Sequence, residues 1–137
     1  MANVGVRSVD GFYSAPWANA TRGVPGTGVY VAADESVDVA AAITNPPLGI
    51  LMNDPAQYEH ASVRLIGSGG IVRAVAGAAI SIGDEVTVTT GGKFIAHTRA
   101  NPQIATVNYG WGTCIKAATH DGDIFELLIG KEISTHA

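Results

Sequence analysis

The sequence predicts an all-β protein: a small β-barrel or β-sandwich of about 8–10 short strands, preceded by an extended N-terminal arm. Fragments such as SVRLIG (62–67), EVTVTT (85–90) and DIFELLIG (123–130) carry apolar residues at every second position. This alternation is the period of a half-buried strand. Turns containing Gly, Asn or Asp close the successive segments. Few residues in these segments are of the types that enzymes use for chemistry.

Residues 1–27 differ in composition from the rest of the chain and predict the arm. They combine Phe12, Tyr13 and Trp17 with several Gly and Pro residues, without clear helical or strand periodicity. Such a segment cannot fold alone, because its glycines have a high ordering entropy. Its aromatic content is nevertheless too high for a solvated tail. The arm either folds back over its own domain or docks on a neighbouring molecule, and residues 28–137 form the barrel domain.

The first strand candidates of the barrel domain are TGVYVAA (27–33) and SVDVAAAIT (36–44). The alanine run of the second candidate also allows a short helix. NPPLGILMND (45–54) begins with two prolines, which forbid a helix and favour an extended edge. PAQYEHA (55–61) is either a loop or one helical turn.

Glycine-containing turns predict how the later strands connect. Ser68-Gly69 predicts a hairpin between SVRLIG and GIVRAVA (70–76), and Gly91-Gly92 predicts a hairpin between EVTVTT and KFIAH (93–97). Residues 98–110 are polar and irregular, which is typical of a loop. The last two strands are WGTCIKAA (111–118) and DIFELLIG, joined through THDG.

One pattern occurs twice in the chain. Gly83-Asp84-x-Val86-x-Val88 matches Gly122-Asp123-x-Phe125-x-Leu127, and an alanine lies four residues before each glycine. Glycine supplies the positive φ that a tight turn needs, and the aspartate can accept hydrogen bonds from nearby backbone amides. The repeat predicts two similar corners of one barrel.

Length and charge limit the functional classes. A chain of 137 residues buries enough surface in one core to fold without disulfides, and its single cysteine, Cys114, is expected to be a buried thiol. The net charge is −4 and no run of basic residues occurs, so we expect no direct binding to nucleic acid. No apolar stretch approaches the roughly 20 residues that span a bilayer. Asp10 interrupts the segment where a signal peptide would be apolar, so export is not expected.

The residues that could support catalysis or metal binding are scattered. His60, His97, His120 and His136 lack the spacings that let neighbouring side chains share an ion. Asp121 and Asp123 flank a glycine, which is typical of a turn rather than of a calcium loop. We therefore expect no enzyme, no cofactor and no metal site.

Four motifs occur in order along the chain. Their residues are Gly49, Leu51, Asn53 and Pro55; Ala61, Val63 and Gly67; Ala79, Ile80 (displaced by one position), Gly83, Asp84 and Val86; and Gly112, Ala117, Ala118, Gly122, Asp123 and Leu127. These motifs resemble those of the capsid cement, or head decoration, proteins of tailed bacteriophages. Each motif consists mainly of glycine, alanine and turn residues, so the order and spacing carry the resemblance, over roughly two-thirds of the sequence.

The resemblance implies a β-barrel made in the host cytoplasm that binds the outside of an assembled head, usually as a homotrimer. Its partners would be the major capsid protein and other copies of itself, with no membrane, and its role would be to strengthen the shell. Phe12, Tyr13 and Trp17 are the expected interface anchors, because large aromatic residues dominate interface energetics.

A binding module on the virion surface is the alternative. Trp111 with Tyr109 could form a platform that stacks on a glycan or on a host surface. The same residues also fit a packed strand of the barrel wall.

Overall fold

The computed structural model describes residues 8–9, 11–33, 35–97 and 107–135. Within them, eleven strands form two antiparallel sheets and no α-helix is present, which confirms the all-β prediction. Two short 3₁₀ turns, Ile66–Ser68 and Thr90–Gly92, complete the regular structure. The strands are β1 Ser8–Val9, β2 Phe12–Pro16, β3 Gly28–Ala33, β4 Ser36–Val39, β5 Gly49–Leu51, β6 His60–Leu65, β7 Ile71–Val75, β8 Glu85–Val88, β9 Phe94–Ala96, β10 Val107–Lys116 and β11 Ile124–Thr135.

The two sheets form a β-sandwich, and each sheet is strongly curled. The first sheet has the strand order β1-β2-β6-β5-β3-β4, and the second has the order β7-β11-β10-β8-β9. Trp17, just after β2, forms a β-bridge with Val37 of β4, and Ala76, just after β7, forms one with Phe94 of β9. These bridges join opposite sides of the same sheet. The architecture therefore combines features of the predicted sandwich and of the predicted barrel.

Two apolar clusters hold the fold together. The smaller cluster contains Trp17 and Val37 from opposite sides of the first sheet, so this sheet curls around it. The larger cluster lies between the sheets, where the Phe94 ring meets the rings of Trp111 and Phe125 edge-on at centroid distances of 5.7 and 6.1 Å. Burial of each such side chain stabilises the fold by about 1.5–3 kcal/mol.

The predicted extended N-terminal arm contains a strand, β2, although its sequence shows no clear strand periodicity. β2 pairs with β6 in antiparallel register, from Phe12 opposite Arg64 to Pro16 opposite His60. Tyr13, Ala15 and Trp17 alternate along it and face the smaller cluster. The described part of residues 11–27 thus folds back on its own domain. A domain boundary at residue 27 stays a prediction.

The predicted hairpin at Ser68-Gly69 is wrong. β6 belongs to the first sheet and β7 to the second, and the chain crosses between them through the 3₁₀ turn Ile66–Ser68. Ile66 is 8% exposed and packs in the cluster between the sheets. Burial of this side chain directs the chain away from β6, and Ser68 stabilises the turn because its hydroxyl donates to the Leu65 carbonyl at 2.7 Å.

Most of the other connections between strands are those that the sequence predicts. β8 and β9 form the predicted hairpin around Gly91, and β10 and β11 pair as the last two strands. The alanine run after β4 forms a bend and a turn, in which the Asn45 side chain accepts bonds from the amides of Ala41 and Ala42 at 3.1 Å. The predicted loop over 98–110 is wrong for residues 107–110, which begin β10. Residues 98–106 lie outside the described residues.

The repeated Gly-Asp motif forms two matching corners. Gly83 and Gly122 have φ values of 89° and 90°. The Asp84 carboxylate accepts a bond from the Ser81 amide at 3.0 Å, and the Asp123 carboxylate accepts one from the Thr119 amide at 2.9 Å. The corner at Gly83 joins β7 to β8, and the corner at Gly122 joins β10 to β11. Because β7 pairs with β11 and β8 pairs with β10, the two corner segments are linked to each other by strand pairing within the second sheet.

Candidate docking surfaces

The single cysteine is a structural residue. Cys114 is buried and free, as expected from the sequence, and its thiol donates to the Lys116 carbonyl at 3.2 Å. Burial raises the pKa of the Cys114 thiol above its ordinary value. The thiol therefore stays protonated at neutral pH, and a protonated thiol is a poor nucleophile.

The histidines make local contacts. The His60 ring nitrogen lies 3.1 Å from the Ser14 hydroxyl, and the His120 ring lies 3.0 Å from the Asp123 carboxylate. Across the part of the chain that the structure describes, no three His, Cys, Asp or Glu residues are grouped to hold a metal ion. His136 lies outside that part.

The three residues predicted as interface anchors differ in how deeply their side chains are buried. The Phe12 side chain is 36% exposed and the guanidinium of Arg64 lies over its ring, 5.2 Å from the centroid. Tyr13 is half-buried against the smaller cluster. Trp17 is only 2% exposed, and its indole N–H donates to the Thr21 carbonyl at 2.9 Å. Of the three side chains, Phe12 is therefore the most accessible, Tyr13 is less accessible, and Trp17 lies within the smaller cluster.

The aromatic platform proposed for glycans does not reach the surface. Trp111 is fully buried in the cluster between the sheets. Its ring contacts Phe94, so it cannot stack on a sugar. The alternative interpretation of this segment, a packed strand of the wall, is confirmed.

Tyr58 is an exposed aromatic residue that the sequence analysis did not single out. It is 76% exposed and has a φ of 69°, although it is not a glycine. A bulky residue in this region of φ is strained by about 1–3 kcal/mol. Its amide donates to the Trp17 carbonyl at 2.8 Å, which holds the loop in place. The ring is thus presented outward by a fixed backbone.

A groove of about 500 Å³ follows the seam between the two sheets, and we call it the seam groove. One wall comes from β5 and β6 of the first sheet, and the other comes from β7 of the second sheet. Its lining is mainly apolar, with two arginines and no carboxylate. The lining includes Leu51, Met52, Arg64, Ile71, Val72 and Arg73.

On the outer face of the second sheet, exposed apolar residues lie on both sides of the register pair Arg73 and Glu126. Ile71 pairs in register with Leu128, and Val75 pairs with Ile124. Ile71, Ile124 and Leu128 are 58%, 55% and 45% exposed. The sequence held a signal for these residues: DIFELLIG is apolar at Ile124 and Leu128 as well as at the buried positions between them.

No helix among the described residues has the length and apolar character needed to cross a membrane.

Two curled, bridged antiparallel sheets, with no group of metal-binding side chains among the described residues, define a class of compact β-sandwich modules. A solved structure of this kind is the head fiber gp8.5 N base in bacteriophage phi29, which the chain matches with a TM-score of 0.62. The match covers 87% of this chain and 92% of that chain at 18% sequence identity, so it establishes a shared fold. No protein-family model and no curated protein sequence matches the chain.

Proposed function

We propose that this protein is a capsid decoration protein that binds the outside of a phage head and stabilises the lattice of the major capsid protein. The observation that carries the proposal is the shared fold with the base of a phage head fiber over nearly the whole of both chains. The four motifs that resemble head decoration proteins support the same conclusion. The proposed site of action is therefore the outer surface of the virion.

We also propose that the bound form is a homotrimer. A symmetric trimer on a threefold position of the shell contacts several capsid subunits at once, so that weak single contacts add up through effective concentration. The rigid sandwich suits this role, because a fixed shape keeps three contact sites at constant spacing. Chemical cross-linking of the protein on heads should give a trimer; monomers alone would contradict this part of the proposal.

Phe12 and Tyr13 are the proposed capsid contacts. Phe12 lies with Arg64 on an exposed part of β2 and β6, which gives an aromatic and a cationic group side by side. Aromatic residues and arginine are the types that contribute most at interfaces. The glycan-binding alternative has less support, because Trp111 is buried.

Co-sedimentation with undecorated heads tests the proposal. The protein should pellet with heads and saturate, and Phe12→Ala should weaken binding by about 30-fold if Phe12 is a dominant contact. Ile82→Ala is the matched control, since Ile82 is 72% exposed on a turn of the second sheet, and it should bind normally. Failure of the unaltered protein to pellet with heads would contradict the proposal.

A further inference from the structure

Among the strands that the structure describes, β7 forms an outer edge of the second sheet and pairs only with β11. Ala76, just beyond β7, donates its amide to the Asp123 carbonyl beside β11 at 2.8 Å, whereas Val75 donates its amide away from β11, to the Gly26 carbonyl at 3.0 Å. Backbone groups in an antiparallel strand alternate in direction. The even-numbered residues of β7 therefore bond to β11, and the odd-numbered residues point the other way.

This alternation directs the N–H and C=O groups of Ile71 and Arg73 into the seam groove. Among the described residues, no strand pairs with this side of Ile71 or Arg73. An unpaired row of backbone donors and acceptors is a template for another strand. The Gly26 backbone already pairs with this side of β7 at Val75. An incoming strand would therefore pair with Ile71 and Arg73 next to Gly26, on the same side of β7.

The side chains around this edge favour a particular kind of strand. Met52 provides apolar surface in the groove, since it is 42% exposed, whereas Leu51 and Val72 are buried in the wall. Arg64 and Arg73 provide positive charge in a molecule whose net charge is −4. Glu126 of β11 lies opposite Arg73 in register, but Arg73 forms no ion pair or side-chain hydrogen bond with it or with any other residue in the described part of the chain. The groove is thus electrostatically complementary to an acidic segment.

We infer that the seam groove binds an extended acidic segment of a partner protein by adding it as a strand to β7. Alternate side chains of the segment pack on Met52, and the carboxylates between them face Arg73. The identity of the partner as the major capsid protein rests on the proposed function. The edge itself is defined by the fold.

Hydrogen exchange of the full chain with a designed peptide tests this inference without heads. The probe is an acetylated heptapeptide of alternating valine and glutamate, and the same peptide with lysine in place of glutamate is the charge control. The glutamate peptide should slow exchange of the Ile71 and Arg73 amides by at least about tenfold, because it would bond to them. The lysine peptide should have no such effect. Equal protection by both peptides, or by neither, would overturn the inference.

Two variants keep the test specific. Arg73→Pro removes an outward-facing donor without removing a bond to β11, and it should abolish protection of Ile71. Ala96→Pro, on the other edge strand of the same sheet, is the matched control and should leave protection unchanged. If Arg73→Pro fails to fold, Arg73→Glu replaces it and should reverse the preference toward the lysine peptide; an unchanged preference would contradict the inference.

The same measurement identifies a competing occupant. Protection of Ile71 and Arg73 in the protein alone that disappears on dilution would show that a second copy takes the edge, and the inference would be wrong. Because heads are absent from this experiment, its failure leaves the capsid-binding proposal open to its own test. Failure of the head-binding experiment would likewise leave the peptide result standing.

Discussion

At the scale of single residues, Gly112 shows why a motif glycine is required. Its φ is 147°, and a Cβ atom added there would lie 2.1 Å from the Leu128 carbonyl oxygen. The register of β10 against β11 shifts at this point, between Gly110 and Gly112. The glycine therefore permits a close approach of two backbones, at a position that the family resemblance singled out from sequence alone.

Gly112→Ala should destabilise the protein by about 3 kcal/mol or more, because both the backbone conformation and the contact with β11 oppose a side chain. Gly130→Ala is the control, since nothing lies within 4 Å of a Cβ added there. It should change the free energy of unfolding by less than about 0.5 kcal/mol. Urea denaturation of both variants provides the measurement, and similar midpoints for the two would contradict this account.

Trp17 and Phe12 separate the structural role of β2 from its proposed binding role. Trp17→Ala should cost about 3–5 kcal/mol, because it empties a site in the smaller cluster. Phe12→Ala should cost only about 1 kcal/mol, since the ring is partly exposed and its main loss is the contact with Arg64. Thermal unfolding of the two variants distinguishes the roles; a Trp17→Ala protein as stable as the unaltered one would show that β2 is dispensable for folding.

At the scale of elements, the corner at Asp123 links stability to pH. Its carboxylate accepts bonds from the Thr119 hydroxyl at 2.7 Å and from the Thr119 amide at 2.9 Å. The Thr119 hydroxyl is the largest cause of a pKa for Asp123 below the ordinary value of 3.8. A carboxyl group with a lowered pKa in the folded state stabilises the protein above its unfolded pKa, and that stabilisation is lost as the pH falls through the folded pKa.

Asp123→Asn should therefore lower the melting temperature at pH 7, and the difference from the unaltered protein should shrink as the pH falls below about 3.8. Thr119→Val removes the principal donor and should weaken the same pH dependence. Melting curves between pH 7 and pH 3 test both variants. A difference that stays constant across this range would exclude the proposed coupling.

Local patterns predicted most of the strands, while their arrangement depended on the whole chain. Alternation in EVTVTT and DIFELLIG and the Gly91-Gly92 turn are local signals, and the structure confirms them. The alternation of Tyr13, Ala15 and Trp17 was obscured because Phe12 and Pro16 lie on the other positions. A Ser-Gly turn suits both a hairpin and a crossing between sheets, so only burial of Ile66 decides between them.

At the scale of the whole molecule, the candidate surfaces follow from strand order. The seam groove exists because β7 is at an edge and the chain crosses to it from β6. Neither fact can be read from a local pattern. The sequence therefore predicted Phe12, Tyr13 and Trp17 as contacts and did not single out Ile71 or Arg73. The proposed partners would therefore meet an exposed strand edge with Arg73 beside it, and the exposed ring of Phe12 next to Arg64.

The measurement that tests the central claim most directly is the survival of virions that contain or lack this protein, after heating and after osmotic shock. We expect particles without it to lose their DNA at a lower temperature and under milder shock, and added protein to restore resistance. Equal survival with and without the protein would contradict the claim that it stabilises the head.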